Sequence, residues 1–97
     1  MIFAELEYPQ GYRDIHSDLG TFLLAHFEKV QLGLQGDSWF HISVGGESVD
    51  VDTFSAMKHQ IKSDKTGPHV SQVIETLQLK YKVNVFEEPR LEIHEDD

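Results

Sequence analysis

Residues 2–8 alternate, with Ile2, Ala4, Leu6 and Tyr8 on one side and Phe3, Glu5 and Glu7 on the other. A period of two predicts a strand with one wet face, because successive side chains point to opposite sides of a sheet. Pro9, Gln10 and Gly11 then close it as a turn. From about Tyr12 the apolar positions become Ile15, Leu19, Phe22, Leu23, Phe27 and Val30. Spacings of three and four predict an amphipathic helix. Gly20 inside that helix costs about 1 kcal/mol relative to alanine, and it marks a position where a neighbouring element comes close.

Residues 30–35 alternate weakly and fit either a short strand or the way out of the helix, ahead of a turn at Gly36, Asp37 and Ser38. From Trp39 to Thr53 two alternating runs flank Gly45 and Gly46, a pair that accepts the positive φ angles of a tight hairpin. With those glycines as the loop, Ile42 faces Val49 and Phe40 faces Val51 on one side. The opposite side pairs His41 with Asp50 and Trp39 with Asp52. Asp52 or Thr53 can then cap a helix whose inward residues are Phe54, Met57 and Ile61. Residues 63–68 interrupt it. Pro68 suits the first position of a further helix, where its missing N–H costs nothing, and Val70, Val73, Ile74, Leu77 and Tyr81 supply the stripe. Val83 to Phe86 reads as a strand stopped near Pro89, and residues 90–94 alternate again.

These elements predict an α+β fold: a small single-domain sandwich in which an antiparallel sheet of about four strands packs against two or three helices. The order strand, helix, hairpin, broken helix, strand resembles the βαββαβ plan of ferredoxin-like domains, whereas a true strand at 30–35 implies a different wrap. Residues 1–89 are expected to form the domain and 90–97 an acidic C-terminal extension. A chain of 97 residues supports one core, and ten aromatic residues are available to fill it.

Charge changes the picture more than composition does. Seventeen acidic residues oppose eight basic ones, for a net charge of −9. The imbalance is blocked: residues 1–57 are strongly acidic, residues 58–82 carry Lys58, Lys62, Lys65, Lys80 and Lys82 against only Asp64 and Glu75, and residues 83–97 are acidic again with Arg90 as the sole base. Such a field repels nucleic acid and anionic lipid and attracts basic surfaces. An RNA-recognition use of the βαββαβ plan needs aromatic central strands with basic neighbours, and Glu47 to Asp52 offers neither.

The chain has no cysteine, which removes disulfides, thiolate nucleophiles and thiolate metal sites. It has no apolar run of the ~20 residues that cross a bilayer, and its first residues lack the basic region of a signal peptide. The expectation is a cytoplasmic protein without membrane attachment.

The most specific constellation is His41 opposite Asp50, since a carboxylate can orient an imidazole for general-base work. Neither a nucleophile nor an oxyanion donor accompanies it in the sequence, so a cross-strand pair that supports the hairpin is the simpler reading. Six histidines include no His-x₃-His or Glu-x-x-His spacing, and no metal or cofactor is expected. Gly45 and Gly46 lie between strands and not before a helix, which argues against a phosphate loop. Trp39 is the lone tryptophan, a residue type enriched where interfaces concentrate binding energy.

The leading expectation is a non-catalytic protein-binding module, of inhibitor, immunity or nucleic-acid-mimic type. Its partner is a basic protein or another copy of the chain, and the binding residues are Trp39, His41, Asp50 and Asp52. The alternative is a dimeric domain that senses a small molecule, and a third reading is an enzyme using His41 and Asp50. No nucleic acid or membrane partner is expected.

Overall fold

The computed structural model describes residues 1–92 and forms a small α+β domain: a six-stranded antiparallel sheet with two helices. The elements are β1 (Ile2–Glu7), α1 (Tyr12–His26), β2 (Lys29–Gln35), β3 (Asp37–Val44), β4 (Glu47–Asp52), β5 (Gln60–Lys62), α2 (Pro68–Leu77) and β6 (Lys82–Arg90). Across the sheet the strands run β2-β3-β4-β5-β1-β6. The sheet has six strands where about four were expected, and the βαββαβ order is not what the chain adopts. Two segments account for the difference.

Residues 30–35 are part of a true strand, β2, paired along its whole length with β3. The predicted helix over Phe54, Met57 and Ile61 does not form. Asp52 does accept a hydrogen bond from a following backbone amide, but from Phe54 at 3.2 Å, and this closes a local turn instead of starting a helix. Phe54 and Met57 are 59% and 74% exposed, so the apparent stripe buries nothing there. The Lys58 ammonium donates to the carbonyls of Tyr8 and Gln10, fixing the loop at its far end. Ile61 is buried from β5, a three-residue strand between β4 and β1. A few apolar residues at helical spacing are outweighed when a sheet can bury the last of them on a strand.

The hairpin is as the glycines require. Gly45 and Gly46 take φ angles of 57° and 82°, and the register pairs Ile42 with Val49, Phe40 with Val51, His41 with Asp50 and Trp39 with Asp52. A Cβ at Gly20 would stand 3.3 Å from Cε1 of Phe40, so the glycine admits α1 close to β3.

Both helices lie on one face of the sheet, α1 over β2 and β3 and α2 over β4, β5 and β6. Between the layers sit Leu19 and Leu23 of α1, Val73 and Leu77 of α2, and Phe40, Ile42, Val49, Val51, Ile61 and Leu6 of the sheet, all fully buried. The opposite face carries no helix. β6 extends past Pro89, which the sequence had as its stop, to pair Arg90 with Ile2 after residues 86–89 bulge out of register. An edge strand tolerates proline because its outer N–H has no strand to serve. Arg90 therefore belongs to β6, and the acidic residues Glu95, Asp96 and Asp97 lie outside the described residues. No helix among the described residues is long and apolar enough to cross a membrane.

Candidate functional site

The helix-free face can be followed strand by strand from the register. One row across it reads Gly33, Trp39, Asp52, Gln60, Glu5 and Asn84, and the next reads Gln31, His41, Asp50, Lys62, Ile2 and Arg90. All four residues expected to form the site, Trp39, His41, Asp50 and Asp52, thus share this face as the hairpin register requires. They differ in access.

His41 and Asp50 meet directly, with Nδ1 of the imidazole 2.6 Å from Oδ1 of the carboxylate and side chains 39% and 46% exposed. The carboxylate fixes the ring, and when Nδ1 carries the proton it leaves Nε2 as the outward acceptor. Trp39 leans the other way, over Gly33 of β2. A Cβ built on Gly33 would fall 2.6 Å from three atoms of the indole, so the glycine is what lets the ring lie flat on the neighbouring strand.

Asp52 is buried, in contrast to Asp50. Its Oδ1 receives the Lys62 ammonium at 2.6 Å, and the same ammonium donates at 2.7 Å to Oε2 of Glu92, in the segment that follows β6. Ser55 also donates to Glu92, at 2.8 Å. The segment after β6 and the loop after β4 thus close over the Asp52 end of the face, leaving the His41 and Asp50 end open. Burial pushes the Asp52 carboxyl above its ordinary value, and Lys62 with the Phe54 N–H offsets this only in part. Burial alone would pull Lys62 down, but bonds to two carboxylates more than compensate and hold it up. The two directions agree physically, because the lysine sees two anions while Asp52 shares one cation with Glu92.

A second polar constellation lies on the helix side, and the sequence did not suggest it. Nδ1 of His16, on α1, is 2.5 Å from Oγ of Ser38; that Oγ is 2.7 Å from Nε2 of His59; and Nδ1 of His59 is 2.9 Å from the Tyr8 hydroxyl. The backbone N–H of His59 also donates to the Tyr8 oxygen at 3.3 Å. One proton order satisfies every group: Tyr8 donates to His59, His59 to Ser38 and Ser38 to His16. His59 is fully buried, and burial, with His16 nearby, lowers its pKa to about 4. Burial lowers His16 as well and raises Tyr8. A serine between two imidazoles has the atoms of a nucleophile and base, but Ser38 is fully buried and offers no approach to a substrate. These groups form a satisfied polar connection that ties α1 and β3 to the residue just after β1 and the residue just before β5. The only advance sign of it was His16 on the buried side of an otherwise apolar stripe.

Among the described residues no cluster of three or more His, Asp or Glu side chains could hold a metal ion. A depression of about 400 Å³ opens between the β3–β4 turn and the start of α2, lined by residues including Glu47, Lys65 and His69 but not by His41 or Asp50. Comparison of the chain with protein-family models, with curated proteins and with solved structures found no match.

Proposed function

We propose that this chain is a non-catalytic module that binds a protein of basic character through the open face of its sheet. Trp39, His41 and Asp50 are the contact residues, and Asp52 acts from beneath by holding Lys62 away from them. One observation carries the reading. The uncovered sheet face presents a half-exposed imidazole–carboxylate pair beside a tryptophan, while Lys62, the cation that faces Asp50 across the strands, is turned to Asp52 and Glu92 instead. Between Trp39 and Asp50 the accessible surface is left acidic and aromatic, with Lys29 standing one row away on the edge strand. Such a surface suits a partner that brings lysine or arginine to the carboxylate and lays an apolar group on the indole. A net charge of −9 favours the inhibitor or nucleic-acid-mimicking subclass, since both present acid to a basic groove.

The test is capture of binding proteins on the immobilised chain at low and at high salt, followed by kinetics with the purified partner. Asp50→Lys should slow association and flatten its salt dependence, and Trp39→Ala should speed dissociation by about tenfold or more. Binding that ignores salt and survives both substitutions would refute the proposal.

A further inference from the structure

The two free edges of the sheet are built differently. At one edge, β6 carries Lys82, Glu87, Glu88, Pro89 and Arg90 and breaks its own ladder with the bulge at 86–89. Charges, proline and bulges are the means by which proteins keep an edge from pairing with another chain. At the other edge, β2 has neither proline nor bulge. Its seven residues, Lys29 to Gln35, stay in register with β3 throughout, contain no proline, and carry a single charge at the first position. Leu32 and Leu34 are among the exposed large hydrophobic residues, as is Leu24 on α1, one turn beyond the Gly20 that touches Phe40. An unguarded apolar edge is a template for a further strand.

Lys29 indicates which strand. Of the six lysines, Lys58 is bonded to backbone carbonyls and Lys62, Lys65, Lys80 and Lys82 are ion-paired. Among the described residues Lys29 alone has no partner for its ammonium, and Asp37, just past the turn at the far end of β2, has none for its carboxylate.

We infer that β2 pairs with β2 of a second copy of this chain, antiparallel about a two-fold axis at Leu32, to give one continuous sheet with six strands from each copy. In this register Leu32 meets Leu32 of the second copy, Val30 meets Leu34, and Gln31 meets Gly33, so apolar faces apolar on the helix side. Lys29 meets Gln35 of the other copy, and Gln35 is already paired with Asp37 in its own. Lys29 and that Asp37 then share a row on the open face two strand spacings apart, about 10 Å. The two extended side chains bridge this span, and the symmetry makes the contact twice. A symmetric contact of this kind is self-complementary and closes, which limits the assembly to two copies. The inference concerns an edge and not the face assigned to a basic partner, so either stands without the other.

Sedimentation equilibrium of the full chain tests it. The expected result is a concentration-dependent monomer–dimer equilibrium. Leu32→Lys, which sets like charges opposite each other, should abolish the dimer without changing the far-ultraviolet dichroism. Lys29→Asp and Asp37→Lys should each weaken it, and the double substitution should restore it. Within one copy Lys29 starts β2 and Asp37 starts β3, at opposite ends of the β2–β3 ladder, so a rescue reports contact between copies. Because the chain lacks cysteine, Leu32→Cys should oxidise to a covalent dimer while Val85→Cys, on β6, should not. A monomer at roughly millimolar concentration, a dimer indifferent to Leu32→Lys, or a double variant no better than the singles would overturn the inference. Capture of an extended segment of another protein on this edge, with the pure chain monomeric, would do so too.

Discussion

Lowering the pH from 7 to 4 should destabilise this protein chiefly through His59. In the unfolded chain its imidazole titrates near 6.5, whereas in the folded chain burial and the nearby His16 lower the value to about 4. Between those limits the unfolded state binds a proton that the folded state refuses, so stability is complete above pH 6.5 and is lost as the pH falls toward 4. At about 1.4 kcal/mol per pH unit, that interval amounts to about 3 kcal/mol, a large share of the ~5–15 kcal/mol typical of a domain. His16, lowered by burial, adds in the same direction. Asp52 acts against it, because a carboxyl raised by burial takes up its proton more readily in the folded state. The comparison that isolates His59 is therefore a difference between two proteins. Urea unfolding of the wild type and of His59→Gln, at half-unit steps from pH 7 to 4, gives two curves of stability against pH. The variant should start lower, having lost part of the Tyr8–His59–Ser38–His16 chain, and should have a slope shallower by close to one proton. Parallel curves would mean that the buried imidazole is not what resists protonation, and the reasoning would fail.

Two further outcomes follow from the open face. Gly33→Val should force the Trp39 indole off β2, shifting the emission of the lone tryptophan to the red and costing about 1–3 kcal/mol; unchanged emission would show that the ring does not need the glycine. Lys62→Met should cost about 3 kcal/mol by leaving the buried Asp52 and the partly buried Glu92 around a missing cation, whereas Lys65→Met, which breaks the exposed pair with Glu47, should stay within about 0.5 kcal/mol. Equal losses in denaturant titrations would count against the burial argument.

The parts of the fold legible in the sequence are those where one period runs unopposed. The stripe of α1, the proline start of α2 and the glycine pair of the β3–β4 hairpin each follow from a local rule, and the hairpin carried with it the meeting of His41 with Asp50. What stayed hidden was decided by distant residues. Phe54, Met57 and Ile61 satisfy helical spacing, yet Ile61 is claimed by the gap between β4 and β1, and only the sheet order reveals that gap. Pro89 looks like a stop until β6 is known to be an edge. Asp50 and Asp52 are equivalent by register and differ because Lys62 and Glu92 converge on one of them from later in the chain. Likewise His59 is drawn into the core by Tyr8 and Ser38, neither of which is near it in sequence.

The place of β1 in the sheet bears on how the chain acquires its structure during synthesis. This strand is made first among the eight elements but lies between β5 and β6, and Glu5 meets Gln60 across 55 positions of sequence. While α1 and the three strands β2, β3 and β4 can assemble as they emerge, β1 has no strand to pair with until residues 60–62 arrive. Its second flank stays open until β6 follows. The apolar stretch from Ile2 to Leu6 therefore stays unpaired until β5 and then β6 have emerged, and completion of the sheet is a late, non-local event of the kind that slows folding and invites association with other chains.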